Sequence, residues 1–461
     1  MEFGMEIETQ QALNHITQIS QDGPFTIALN SNGGLQQVAE KENKAQDDFR
    51  PKTSYWEALV HMFRGTVGTG ILALPFAFNQ SGYLGGILGI IAITYLVNYC
   101  SVLLAICSRE LGNRKKNNAV LTYQSTLEAA FKEGPEIVRP VGPFFISTTN
   151  ILLIGTQLGS VCVYIIFISS NVKAAMDPYI GEHTIRFYTL FLAIPILAMS
   201  MVISLKRLAF ISTFGNIVLL CSVVAVMYYS TRDMAALSQA RMFGSVAHLP
   251  QFFGAVFFAS GCLSLVLPLQ SEMLKPKNIS STFGVLNMNA FLSGLLYCLF
   301  GLLGYLNFGE EAKASVTLNL PQHDLLGKLV QIFLAMSTMT GTALQNYVSV
   351  SIIWDDYLRS IVKKNVILAQ YCLRLAVVVL TVGVSLLVPN LELVMSIIGT
   401  LSQCTLGTIV PCVIHFLTFH KQPHHFGYVT AFAKDLIVSV FSVFILFYSL
   451  TSAINGALKG T

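Results

Sequence analysis

Residues Arg64-Gly65-Thr66-Val67-Gly68-Thr69-Gly70-Ile71-Leu72-Ala73-Leu74-Pro75 interrupt an apolar run with three glycines and two threonines in six positions. A later run carries a similar interruption, Phe258-Ala259-Ser260-Gly261-Cys262-Leu263-Ser264-Leu265-Val266-Leu267-Pro268. In both, the small residues lead into Leu-x-Leu-Pro. Glycine lowers helix propensity by about 1 kcal/mol and proline removes a backbone donor, so each run is expected to be a helix broken near its middle.

The solvent around these breaks follows from composition. The chain has 461 residues, 53% apolar and only 11% charged, with a mean hydropathy of +0.62. A typical soluble domain carries roughly 25% charge. This excludes a soluble enzyme, a secreted domain and a nucleic-acid binder, and makes lipid the expected surroundings. Eleven apolar runs are long enough to span a bilayer, at about 57–79, 84–107, 141–170, 185–204, 209–230, 250–268, 283–308, 327–354, 364–388, 391–418 and 429–454. They are continuously apolar rather than alternating, which favours an all-α polytopic membrane protein over a β-barrel. Residues 1–52 carry four basic and eight acidic side chains and no long apolar run. They read as a disordered cytosolic tail with no cleaved signal peptide, ahead of a transmembrane domain over 53–461. The nine cysteines fall in or beside apolar runs and read as small buried hydrophobes.

With the N-terminus in the cytosol, cytosolic segments hold 20 Lys and Arg and exterior segments seven. This positive-inside bias fixes the expected orientation, and an odd number of spans puts the C-terminus outside or in a lumen. The first run then crosses inside to outside and the sixth outside to inside. The halves 57–230 and 250–418 are therefore expected to form a 5+5 inverted repeat, with 429–454 as an extra helix. Interrupted helices at matching places in inverted halves point to a transporter's binding site.

An unwound stretch in lipid leaves main-chain groups unpaired, each costing several kcal/mol unless it lines a polar cavity. Amides at the start of a half-helix favour a carboxylate, and stranded carbonyls favour an ammonium. Two facing breaks thus suit a zwitterion such as a free amino acid. The expected contacts are Thr66, Val67, Gly68, Thr69 and Gly70 from the first run, and Ala259, Ser260 and Gly261 from the sixth. Gln157, Tyr164 and Thr340 are further candidates, and Gln403 is another polar position inside a span. Gly85, Gly86 and Gly89 read instead as helix-packing positions. Leu121–Lys132 reads as an amphipathic surface helix.

No carboxylate is expected in the middle of a span, because Glu57 and Glu392 sit at edges. His61, Arg64, Arg374 and His415 are the deepest ionisable groups. His61, Arg64, Gly65 and Gly68 share one helical face. A histidine there is neutral when buried and charges when exposed to acid, as a proton carrier must.

His61-Met62-Phe63-Arg64-Gly65-Thr66-Val67-Gly68-Thr69-Gly70-Ile71-Leu72-Ala73-Leu74-Pro75 resembles the first helix of the proton-assisted amino acid transporters, a branch of the amino acid/auxin permease family. Val266-Leu267-Pro268-Leu269 is similar to the end of their sixth helix, and Thr156-Gln157-Leu158-Gly159, Val163-Tyr164 and the Arg374 helix are similar too. The resemblance covers about residues 53–454. It implies eleven helices in a LeuT-like fold, import of small neutral amino acids, and a proton-linked role for His61. It also implies a plasma-membrane, lysosomal or endosomal location. Two features depart from the branch: many members carry Phe-Glu-Gly where this chain has Ser260-Gly261-Cys262, and loops 171–184 and 309–326 lack the cysteines that join them in well-known members.

The expected function is secondary active transport of small neutral amino acids into the cytosol, with the proton as coupling ion, sodium left open, and no cofactor or metal. The alternative is an uncoupled amino-acid facilitator or a membrane amino-acid sensor. An enzyme is not expected, since the spans hold no metal cluster, carboxylate pair or nucleophile with a base. Partners are expected to be the amino acid and the bilayer, with no nucleic acid.

Overall fold

The computed structural model describes residues 53–115, 120–202, 205–232, 239–261, 263–321, 324–359, 361–362, 365–421 and 426–459. The expected tail over 1–52, and Cys262 of the second break, lie outside the described residues.

The described residues are helical apart from loops and one β-bridge, Thr53 with Met273. Helix α1 (Tyr55–Thr66) starts at a capping box. The Ser54 hydroxyl accepts from Glu57 N at 3.4 Å, and Ser54 N donates to the Glu57 carboxylate at 2.8 Å, so two first-turn amides are satisfied reciprocally. The helix stops at Thr66. Gly68 is extended, and the chain resumes as a short 3-10 turn (Thr69–Ala73) and then α2 (Leu74–Ser81), bent 44° from α1. Gly82 ends α2 at φ +76°, where a Cβ would stand 2.7 Å from Met242 O. Both the backbone angle and the close approach require glycine there.

The next elements are α3 (Tyr83–Arg114), α4 (Tyr123–Glu133), α5 (Gly142–Ile180), α6 (Ile185–Ser200) and α7 (Leu205–Ser230). The second broken run is α8 (Leu249–Ala259) and α9 (Leu263–Glu272). Then come α10 (Val285–Phe308), α11 (Leu325–Ile353), α12 (Val366–Leu387) and α13 (Leu391–Leu401). A π-helical segment (Ser402–Ile409) joins α13 to α14 (Val410–Phe419), and α15 (Phe426–Lys459) is last.

Among the described residues, helix makes up most of each apolar run. By length and apolarity seven helices among the described residues can cross a membrane, or eight with the bent pair Tyr55–Thr66 and Thr69–Ser81 as one span. Ile185–Ser200 and Gly215–Ser230 are shorter apolar helices. The stretch read as an amphipathic surface helix over Leu121–Lys132 is helical from Tyr123 to Glu133 but packs inward: Leu127 and Ala130 are fully buried, and the Tyr123 hydroxyl donates to Leu406 O at 2.9 Å.

Large apolar side chains cover the outside, among them Phe191, Ile194, Phe444 and Phe447. In lipid such faces gain nothing by associating, so helices are held by close van der Waals fit and polar contacts. A Cβ on Gly254 would lie 2.3 Å from Ser396 Cα, and one on Gly399 only 2.2 Å from Gly254 O, which locks α8 against α13 backbone to backbone. The packing expected of Gly86 and Gly89 is present: their Cβ atoms would meet Phe78 at 2.7 Å and Phe252 at 2.4 Å. Cys100, Cys107, Cys162, Cys404 and Cys412 are buried, whereas Cys221 and Cys372 lie on exposed faces.

The sequence reading, which looked for carboxylates in the middle of spans, passed over one near the start of the last run. Asp435 of α15 is 4% exposed. It accepts from the Tyr99 hydroxyl of α3 at 2.7 Å, and its other oxygen is 2.5 Å from His415 Nδ1 of α14. The Thr408 hydroxyl donates to Ser442 Oγ at 2.7 Å and ties the π segment to the same helix. Arg374 is also buried, donating to Ser200 O at 2.9 Å and stacking over the Tyr347 ring.

Candidate functional site

The two breaks lie against each other. A Cβ on Gly70 would be 2.6 Å from Ala259 Cα, and one on Gly65 would be 2.0 Å from Leu265 Cδ1. The Tyr297 hydroxyl of α10 fastens them together. It lies 2.8 Å from Thr66 O and 2.7 Å from Ala259 O, one proton shared between the carbonyls that end α1 and α8. Asn289, two turns earlier on α10, donates to Thr66 Oγ1 at 3.0 Å, and that hydroxyl donates to Met62 O at 2.9 Å. The expected unwinding is therefore present, but a protein hydroxyl already serves the Thr66 and Ala259 carbonyls.

Beside the breaks is a cavity of about 500 Å³. Gly65, Thr66, Gly68, Thr69 and Gly70 line it from one side, and Phe258, Ala259 and Gly261 from the other. A Cβ on Gly68 would meet nothing within 4 Å, so this glycine opens onto empty space where Gly70 touches backbone. Gln157 and Tyr164 of α5 also line it, and Gln345 Nε2 of α11 donates to Gln157 Oε1 at 3.2 Å across the wall. Among the described residues lining the cavity, none is Asp, Glu, Lys, Arg or His.

The cavity extends towards residues 120–123, 264–271 and 345–352. That end also holds the pairing of Thr53 with Glu272 and Leu274, at 2.8 and 3.0 Å. Tyr164 and Phe258 meet edge to face, centroids 6.4 Å apart, and bound the other side. Beyond them a void of only about 10 Å³ remains. At that far end Tyr83 N donates to Arg241 O at 3.0 Å and Gly244 N to Ser81 O at 2.7 Å.

Four expected residues stand elsewhere. Val67 is 2% exposed and packs into the core. Ser260 faces a small separate pocket shared with Asn289 and Tyr297. The Thr340 hydroxyl donates to Ser337 O at 2.7 Å and faces Gly215 of α7. Its helix turns it towards a close-packed neighbour, away from the cavity. His61 is exposed on α1, one turn before Gly65, and is not part of the wall. Tyr297, Asn289, Gln345 and Phe258 were not singled out from sequence. No spacing marks them, because their partners are over a hundred residues away or on another helix.

Residues 51–455 match the model of the transmembrane amino acid transporter protein family. The "Proton-coupled amino acid transporter-like protein pathetic" of Drosophila melanogaster is 29% identical over 415 residues, covering 90% of this chain and 87% of that protein. "Amino acid transporter AVT3B" of Arabidopsis thaliana is 27% identical over 405 residues, covering 83% and 91%. The inward-facing structure of Mhp1 aligns with a TM-score of 0.51 at 12% identity, over 89% of this chain and 92% of Mhp1. MhsT in complex with L-phenylalanine aligns with a TM-score of 0.50 at 12% identity, over 87% and 100%. The fold is thus the LeuT-like fold of transporters with broken helices, and the curated relatives are transporters rather than enzymes. With a family model matched along nearly its whole transmembrane portion, the chain belongs to the transmembrane amino acid transporters, the amino acid/auxin permeases.

Proposed function

We propose that this protein is a secondary active transporter that moves small neutral amino acids into the cytosol by alternating access, coupled to protons. The observation that carries the reading is the cavity of about 500 Å³ at two paired helix breaks, with no charged side chain among its described lining residues. A net-neutral zwitterion needs no countercharge in such a wall. Its carboxylate would meet the amides of Thr69 and Gly70, which open a half-helix. The side chain would point towards Tyr164 and Phe258.

We infer eleven spans in a 5+5 inverted repeat plus α15, with the N-terminus cytosolic. The segments assigned to each side by charge gather at the same ends of the bundle: 53 with 272–274, and 81–85 with 241–244. On that orientation the cavity opens inward and Tyr164 and Phe258 close the outer side. His61 would take up its proton on the face it shares with Gly65. One charge crossing 100 mV supplies about 2.3 kcal/mol and one pH unit about 1.4 kcal/mol. Together they sustain a gradient of about a few hundredfold at one-to-one coupling.

One observation favours a second reading. His61 is exposed and outside the wall, and Gly261 stands where many relatives place a glutamate, which suits an uncoupled facilitator or sensor. Uptake of labelled amino acids into proteoliposomes at two pH values separates the two. Proton coupling predicts uptake that rises as the outside becomes acidic, a substrate-induced proton current, and loss of that rise in His61→Ala. A pH-independent wild type establishes the facilitator, and loss of uptake on replacing sodium with choline establishes sodium coupling.

A further inference from the structure

Where α3, α14 and α15 meet, away from the cavity, a buried carboxylate faces a histidine. Asp435 of α15 accepts from the Tyr99 hydroxyl at 2.7 Å, and its second oxygen is 2.5 Å from His415 Nδ1. The two side chains are 6% and 13% exposed. Phe419 and Phe432 flank the imidazole, with ring centroids 5.1 and 5.8 Å away. The neighbouring thiols are Cys100 and Cys107 of α3 and Cys412 of α14. Among the described residues no Lys or Arg pairs with Asp435. Arg114 lies over the Phe419 ring at 5.9 Å and is held by Glu110 and by Glu133 of α4, and Lys434 is exposed.

In the low dielectric of a membrane interior a charge needs a partner of opposite sign. With a neutral imidazole this cluster carries one uncompensated negative charge. With an imidazolium it is an ion pair of no net charge, joined by a charge-assisted hydrogen bond. The pair thus has a place for one proton, and histidine is the side chain whose ordinary titration falls in the pH range of cells. The proton also changes a link between helices. α14 continues from the π-helical segment Ser402–Ile409, whose Thr408 hydroxyl donates to Ser442 Oγ of α15 at 2.7 Å and whose Gln403 lines the cavity. Such wide turns recur at functional sites. His415–Asp435 and Thr408–Ser442 are two rungs between one rod and α15. Weakening the first leaves the rod, and the stretch of cavity wall it carries, held less firmly.

We propose that Asp435 and His415 form a proton-binding site, separate from His61, that strengthens the hold of α15 on the cavity wall in acid and so tunes turnover. The link to turnover rests on reading the protein as an amino-acid transporter. The test is exchange of labelled for unlabelled alanine by purified protein in liposomes, with equal pH on both sides, so that no gradient drives it and orientation is immaterial. Between about pH 6 and about pH 8 the wild type is expected to slow about fivefold, the difference between a charge-assisted and a neutral hydrogen bond. His415→Asn keeps a donor towards Asp435 but takes up no proton, and is expected to remove most of that slowing. Asp435→Asn, which removes the anion, is expected to do the same. Solid-state nitrogen NMR of isotope-labelled histidine reads the site without transport. The His415 ring signals, identified by their absence from His415→Asn, are expected to pass from the neutral to the cationic position as pH falls from about 8 to about 6. His415 signals fixed across this range overturn the proposal. So does wild-type exchange that is flat or rises with pH, or a folded His415→Asn protein with the full wild-type slowing. Moving signals in a protein that exchanges no alanine overturn the transport reading and with it the link to turnover, a result distinct from loss of the proton site.

Discussion

Two polar places inside this bundle are built on opposite terms. Where α3, α14 and α15 meet, both Asp435 oxygens are engaged, one by Tyr99 and one by His415. Beside the paired breaks, Gln403 Oε1 has no partner and Gly68 faces open space. In a medium without water, a fully satisfied polar cluster holds helices together, whereas open space beside broken helices leaves room for a ligand. The first place anchors the last helix, and the second is where we propose that substrate binds. Substitutions should therefore divide into those that lower stability with selectivity unchanged and those that do the reverse.

The largest effect is expected at the anchor. Asp435→Ala strands two half-buried partners, Tyr99 and His415, and is expected to cost about 2–3 kcal/mol, read as a lowered unfolding midpoint in detergent. The relative uptake of different amino acids should not change; altered selectivity would erase the division. Gly70→Ala and Gly68→Ala sharpen it within a few residues. The Gly70 methyl group runs into Ala259 backbone and is expected to cost about 1–3 kcal/mol by overpacking. The Gly68 methyl group meets nothing, so stability should stay within about 0.5 kcal/mol while uptake falls as the cavity narrows. Tyr297→Phe joins the two classes. It leaves the Thr66 and Ala259 carbonyls without their donor and is expected to cost about 1–2 kcal/mol and slow uptake, measured by thermal unfolding and initial rates.

The smallest effect is expected at the loop preceding α11. The Tyr229 hydroxyl and then the Leu326 amide hold the Asp324 carboxyl below the usual carboxylate range. A pKa lowered in the folded state means that the contribution is complete above the unfolded value and lost as pH falls through the folded one. Unfolding midpoints of wild type and Asp324→Asn should differ slightly at neutral pH and converge in acid below the ordinary carboxylate range. A gap that widens in acid would reverse the sign.

The breaks were legible in sequence because glycine and proline act locally: the small residues of 65–70 and those around Ser260-Gly261 carry their own instruction to unwind. Family membership was legible for the same reason, since the motif lies in one uninterrupted stretch. The clasp on the breaks was not, because Tyr297 is 231 positions from Thr66 and looks like any tyrosine in an apolar helix. Asp435 escaped notice because hydropathy places it near the start of the last run, where a carboxylate usually meets water. Thr340 was misplaced because hydroxyls at neighbouring positions of α11 differ in direction by about 100° per residue. Which one meets the cavity depends on how α5 and α7 seat the helix, a tertiary matter that composition does not carry.

The π-helical stretch Ser402–Ile409 joins the two polar places along one rod. Its loose winding acts as a vernier: it sets the angular phase between the face that turns Gln403 to the cavity and the face that gives His415 to Asp435. Removing a single residue would turn the inner half by about 100° and pull the imidazole off its partner. The shape of the cavity wall and the attachment of the last helix are thus geared to each other by one register.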